Sequence, residues 1–90
     1  MYSGQIVCSL SGKDKGYFMV IVGQTDDKYL LVSDGKHRKL DNPKQKNIKH
    51  LGFVGKTLSD EQLKSDKSIR KAIYGFMQRY KEENVCQKKI

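Results

Sequence analysis

The sequence predicts a mainly β fold, a small barrel of about five short antiparallel strands followed by a C-terminal amphipathic helix. Three observations carry this. Short apolar runs rich in Val, Ile, Phe and Tyr recur through the first 54 residues with turn signals between them, as a pleated, half-buried surface requires. From Ile69 onward the spacing of apolar residues changes to three and four, the period of a helix with one buried face. Ninety residues allow one core only, because a chain this short buries about two-thirds of its extended surface.

The first two strands are Ile6 to Leu10 and Tyr17 to Val22, flanking Ser11-Gly12-Lys13-Asp14-Lys15-Gly16. Gly12 and Gly16 can supply the positive φ at which a chain reverses, so the segment reads as a tight basic turn that displays Lys13 and Lys15. Asp14 between them suits a turn-fixing role better than ligand contact. The third strand is Lys28 to Ser33, following the turn signal Gln24-Thr25-Asp26-Asp27. Between Gly35 and Asn47 the only aliphatic side chain is Leu40 and the only proline is Pro43, which marks an excursion loop. A fourth strand at Gln45 to His50 would point Lys46 and Lys49 outward, and a short fifth strand lies around Gly52 to Val54. Five short strands in about fifty residues suit a closed sheet that removes exposed edges, but strand count alone does not separate an SH3-like barrel from an OB-like one.

Ser59-Asp60-Glu61-Gln62 fits a capping box and starts a short helical turn. In the longer helix beyond it Ile69, Ala72, Ile73, Phe76, Met77 and Tyr80 share a face, with Ser65 or Asp66 as N-cap. A lone helix of this length is marginal in water, so the stripe is expected to pack on the barrel; a protein partner or self-association is the alternative use of it. Residues 1–56 thus form the barrel, 57–82 a helical extension of the same domain, and 83–90 a frayed tail.

The formal charge is +8 and unevenly placed. Residues 1–34 hold three Lys against four Asp, whereas residues 35–56 hold seven Lys or Arg against Asp41 alone, a local +6. Such a cluster repels itself unless a polyanion relieves it, and nucleic acid is the common intracellular polyanion. Lys36, His37, Arg38, Lys39, Lys44, Lys46 and Lys49 are therefore the candidate nucleic-acid-binding residues alongside Lys13 and Lys15, the set that the resemblance described below assigns to RNA. Ammonium groups suit backbone phosphates, while the Arg38 guanidinium can grip a phosphate with two bonds or stack on a base. Tyr17 and Tyr29 could stack on an unpaired base, although aromatic residues at strand positions more often fill cores.

Other chemistry finds little support. His37 and His50, in basic surroundings, have no carboxylate orienter near them in the chain, and nothing local activates Cys8, which suits a small core position. Cys8 and Cys86 with two scattered histidines match no zinc spacing. Gly12 to Gly16 lacks the Gly-Lys-Ser/Thr of a nucleotide triphosphate loop and leads into a strand. No catalytic residue, cofactor or metal is expected. No signal-peptide pattern and no apolar run of membrane-spanning length is present, so a soluble cytoplasmic protein is expected.

The first hairpin resembles the KOW motif of ribosomal proteins and transcription elongation factors, through Ile6, Val7, Gly12, Lys13, Asp14, Lys15, Gly16, Phe18, Val20 and Val22. With Asp26 to Val32, the basic stretch Lys36 to Lys46 and Asn47-Ile48-Lys49-His50-Leu51, the likeness extends over Gly4 to Val54. That order is similar to the large-subunit ribosomal protein family called fourteen-e and its small bacterial relatives. The resemblance implies an SH3-like barrel that touches RNA, ribosomal RNA first. It leaves open a resident subunit or an accessory factor.

Overall fold

The computed structural model describes residues 3–83. The strands are β1 (Gln5–Ser9), β2 (Phe18–Gln24), β3 (Tyr29–Ser33), β4 (Lys44–Asn47) and β5 (Leu51–Thr57), and one helix, α1 (Asp66–Glu83), follows. All pairings are antiparallel, in the spatial order β4-β3-β2-β1-β5. The fold is therefore mainly β with a C-terminal helix, as the periodicities predict.

The middle of the sheet is buried on both faces. Val7, Met19, Ile21, Leu30, Val32 and Leu51 form one cluster, and Ile6, Val20, Leu58, Ile69 and Ile73 form the other. Adjacent residues on a strand point to opposite faces, so Ile6 and Val7, or Val20 and Ile21, feed separate clusters, two where the chain length alone predicts one core. This is why β1 and β2 read as continuous apolar runs without polar alternation. Register shifts between Ile21 and Gly23 on β2, and between Gln5 and Val7 on β1, mark irregularities that increase local twist and help a five-stranded sheet coil.

Helix α1 covers the second face. Ile69 and Ile73 are buried, and the Phe18 ring meets Phe76 and Tyr80 edge-on at centroid distances of 5.4 and 5.3 Å. Packing on the sheet is thus the use made of most of the helical stripe. Burying a side chain of this size contributes about 1.5–3 kcal/mol, more than any intrinsic helix propensity supplies. Of the two candidate caps, Ser65 serves: its Oγ accepts from the Ser68 amide at 3.1 Å. Asp66 instead accepts the Leu40 amide at 2.7 Å and ties the β3–β4 connection to the helix start. The capping box forms as the spacing predicts, with the Ser59 amide donating to Gln62 Oε1 at 3.0 Å and the Gln62 amide to Ser59 Oγ at 3.3 Å.

Two strand expectations change. The fourth strand ends at Asn47, whose side chain accepts the Lys49 amide at 2.9 Å and caps a one-turn 3-10 helix, Ile48–His50. A local side-chain acceptor here outcompetes the ladder. The fifth strand is longer than its three apolar-anchored residues, running to Thr57. Strands β4 and β5 are the two edges of the sheet, and among the described residues no ladder joins them. The 3-10 turn spans the gap, with the Ile48 amide on the Lys28 carbonyl and the Leu10 amide on the His50 carbonyl, both at 2.9 Å. The tail at 83–90 is named by the sequence but lies, with Cys86, outside the described residues except for Glu83.

Candidate nucleic-acid interface

In an antiparallel meander the connections alternate ends. The β1–β2 turn (residues 10–17) and the β3–β4 connection (residues 34–43) therefore leave the same end of the sheet, and the β2–β3 turn leaves the other. The two basic segments found in the sequence are neighbours for this reason.

The β1–β2 turn closes through Gly16 N to Ser9 O at 2.8 Å and Tyr17 N to Asp14 O at 2.9 Å. Gly12 and Gly16 hold φ of +88° and +91°, a conformation that side chains with a Cβ resist. Lys13 and Lys15 are exposed at the tip, and Asp14 between them turns inward. Its carboxylate accepts from Ser9 Oγ at 2.7 Å, Lys44 Nζ at 3.0 Å and Lys46 Nζ at 3.1 Å.

Lys46 corrects an expectation. Expected to reach outward, it is 7% exposed. The reason is register: Lys46 pairs with Leu30 and Lys44 with Val32, and directly paired residues share a face, here the face of the first core cluster. The Lys46 stem follows that apolar surface and its ammonium emerges at Asp14 and the Ser11 carbonyl, 2.9 Å away. Lys44, half-buried, ends on the same carboxylate. Both are withdrawn from the set of free cations. Burial of Asp14 works to raise its carboxyl, but hydrogen bonds from Ser9, Lys44 and Lys46, with the Lys46 charge, outweigh it and hold the group well below the usual carboxylate range.

The β3–β4 connection is organised by Asp34. Its Oδ1 accepts the main-chain amides of Lys36, His37 and Arg38 at 2.9, 2.8 and 2.9 Å, and its Oδ2 lies 3.2 Å from His37 Nδ1, so His37 has a carboxylate neighbour three residues away where none was expected. Burial would raise this carboxyl too, and the amides of Arg38 and Lys36 with the His37 contacts bring it below its ordinary value. The Arg38 carbonyl in turn accepts from Ser33 Oγ at 2.7 Å. Gly35 sits against the helix start, where a Cβ would collide with the Asp66 carbonyl oxygen, and Arg70 Nη1 donates to the Gly35 carbonyl at 2.8 Å. The loop is held by its backbone, so Lys36 and Lys39 remain exposed and Arg38 half-buried.

The turn and the connection touch through a stacked pair, Tyr17 on His37, with centroids 5.2 Å apart and planes inclined by 29°. Tyr17 is 44% exposed and so is not the core residue its strand position suggested; Tyr29 is half-buried. Beside the pair lies a groove of about 470 Å³ between the turn, the connection and α1, which Lys36, Arg70 and Tyr74 also line.

Of the nine residues chosen from the sequence, Lys13, Lys15, Lys36, Lys39 and Lys49 are exposed and make no ion pair among the described residues. The 3-10 turn carrying Lys49 meets the base of the first turn at the Leu10–His50 bond. Arg70 and Tyr74 were not anticipated; their i, i+4 spacing at the margin of the apolar stripe is the only sequence signal for them.

For other chemistry the geometry offers little. Cys8 is half-buried, its thiol pushed up by burial, and it does not line the groove that holds His37 and Asp34. No cluster of three or more His, Cys, Asp or Glu occurs among the described residues, nor any helix long and apolar enough to cross a membrane. No protein-family model matches the chain, and no curated protein matches it.

Proposed function

We propose that this chain is a non-catalytic, cytoplasmic RNA-binding protein of ribosomal-protein type, which contacts structured RNA, ribosomal RNA first, through the β1–β2 turn and the β3–β4 connection. The observation that carries the reading is the convergence of the β1–β2 turn and the β3–β4 connection on one end of the sheet, with Lys13, Lys15, Lys36 and Lys39 exposed there, Lys49 exposed on the 3-10 turn, and none of the five in an ion pair among the described residues. Fixed turns that present flexible ammonium groups recognise a phosphate backbone by charge and shape, with no need for base-specific bonds. The likeness of the first hairpin to the KOW motif supports the same partner. Helix α1 has spent Ile69 and Ile73 on the sheet, which leaves the alternative of a protein-docking stripe with less apolar surface to use.

If these five lysines meet phosphates, affinity for a structured RNA falls with salt at a log-log slope of about −3.5 to −4.5. A slope near zero, or no binding at low salt, overturns the reading. Crosslinking in cells followed by sequencing of the attached RNA identifies the partner, with ribosomal RNA the expected product.

A further inference from the structure

We propose that the groove between the β1–β2 turn, the β3–β4 connection and α1 is a pocket for one unpaired RNA base and its phosphate. This rests on the RNA-binding reading and assigns it a second element, since the lysines of the two loops need only a phosphate backbone.

The exposed rings of Tyr17, His37 and Tyr74 and two cations surround one concavity, which the Phe18 ring also lines. Tyr17 and His37 stack on each other and both remain exposed, Tyr17 to 44%; Tyr74, on the α1 side of the groove, is 65% exposed. Large aromatic side chains are normally buried, and their grouping around an open cleft is what base stacking requires. The cations are Lys36, exposed, and Arg70, whose guanidinium is oriented by its bond to the Gly35 carbonyl. Among the described residues Asp34 is the only carboxylate lining the groove, and its oxygens are already engaged by three amides and by His37, which reduces its repulsion of a phosphate. Ile73 and Met77 supply an apolar floor. The volume, about 470 Å³, falls within the range of small-molecule sites. A base inside a duplex has both faces covered by its neighbours, so only an unpaired or extruded base can enter.

The test uses the full chain and two probes, a blunt RNA duplex and the same duplex interrupted by a loop of unpaired adenosines. The wild-type protein is expected to prefer the looped probe by about 10-fold, and Tyr74→Ala to remove most of that preference while leaving duplex affinity unchanged. Tyr74→Phe, which keeps the ring, is expected to retain it. Tyr74 is exposed, so these variants leave the core intact. Equal affinity for the two probes, or equal weakening of both by Tyr74→Ala, overturns the pocket while the lysine-mediated reading stands. Failure of the wild-type protein to bind either probe overturns both.

Discussion

Asp14 and Asp34 each sit inside a basic segment at the same end of the sheet, and they treat their neighbours in opposite ways. Asp14 takes side chains: the ammonium groups of Lys44 and Lys46 end on it. Asp34 takes main-chain amides from Lys36, His37 and Arg38, and of those three side chains it engages only His37. The first arrangement consumes positive charge to join the turn to the edge strand β4. The second stiffens a loop while leaving Lys36 and Arg38 free of it. A count of lysines in a segment is therefore a poor measure of the cationic surface that the folded chain presents.

The sharpest way to break this contrast is Asp14→Ala, which strands a buried ammonium at Lys46 and a half-buried one at Lys44. We expect a loss of about 3–5 kcal/mol in urea unfolding, enough to threaten folding of a domain this small. Adding Lys46→Met should recover part of it, because the unpaired charge is gone and its stem already lies on apolar surface; a coupling of about 1–3 kcal/mol is expected from the cycle. Additive losses would mean that the pair is not the closure we describe.

Asp34→Ala should cost less, about 1–2 kcal/mol, since its amide donors lie in a surface connection and can turn to water. Hydrogen exchange is expected to accelerate at the amides of Lys36, His37 and Arg38 and to stay unchanged in β1 and β2.

Acid links the two sites. Each carboxyl titrates lower in the folded chain than in the unfolded one, where an aspartate titrates near 3.9, so each contributes stability that is complete above about pH 5. That contribution is lost as pH falls through the folded values. Thermal unfolding temperature should therefore be flat with respect to these groups above pH 5 and drop below pH 4, less steeply in Asp34→Asn.

The smallest effects separate free lysines from held ones. Lys13→Ala and Lys49→Ala should each reduce the salt slope of RNA binding by about 0.7–0.9, whereas Lys46→Met, whose ammonium is already paired, should leave it nearly unchanged. Equal reductions would erase the distinction between the two aspartates.

Much of the framework was legible in the chain because its signals are local. The glycines bracketing the first turn, the reciprocal Ser59–Gln62 cap and the helical stripe from Ile69 to Tyr80 depend on residues a few positions apart, and the structure contains each of them. Strand ends were less legible: nothing in Lys46-Asn47-Ile48 announces that Asn47 caps a 3-10 turn where the apolar pattern continues. The candidate site divides in the same way. Which residues are basic is written in the sequence, and which of them are free is not, because Asp14 meets Lys44 and Lys46 from 30 and 32 residues away.

By itself, then, the amino-acid sequence determined the strand-rich class, the amphipathic helix, the turn geometry and the total charge, all of which follow from short-range sterics and periodicity. Only the tertiary structure decided that Lys46 points at the core, that Tyr17 stacks on His37 and that Arg70 and Tyr74 join them at a groove. The physical reason is strand register. Pairing β4 against β3 one residue differently would turn Lys46 to the opposite face, and no property of the β4 segment alone fixes that choice.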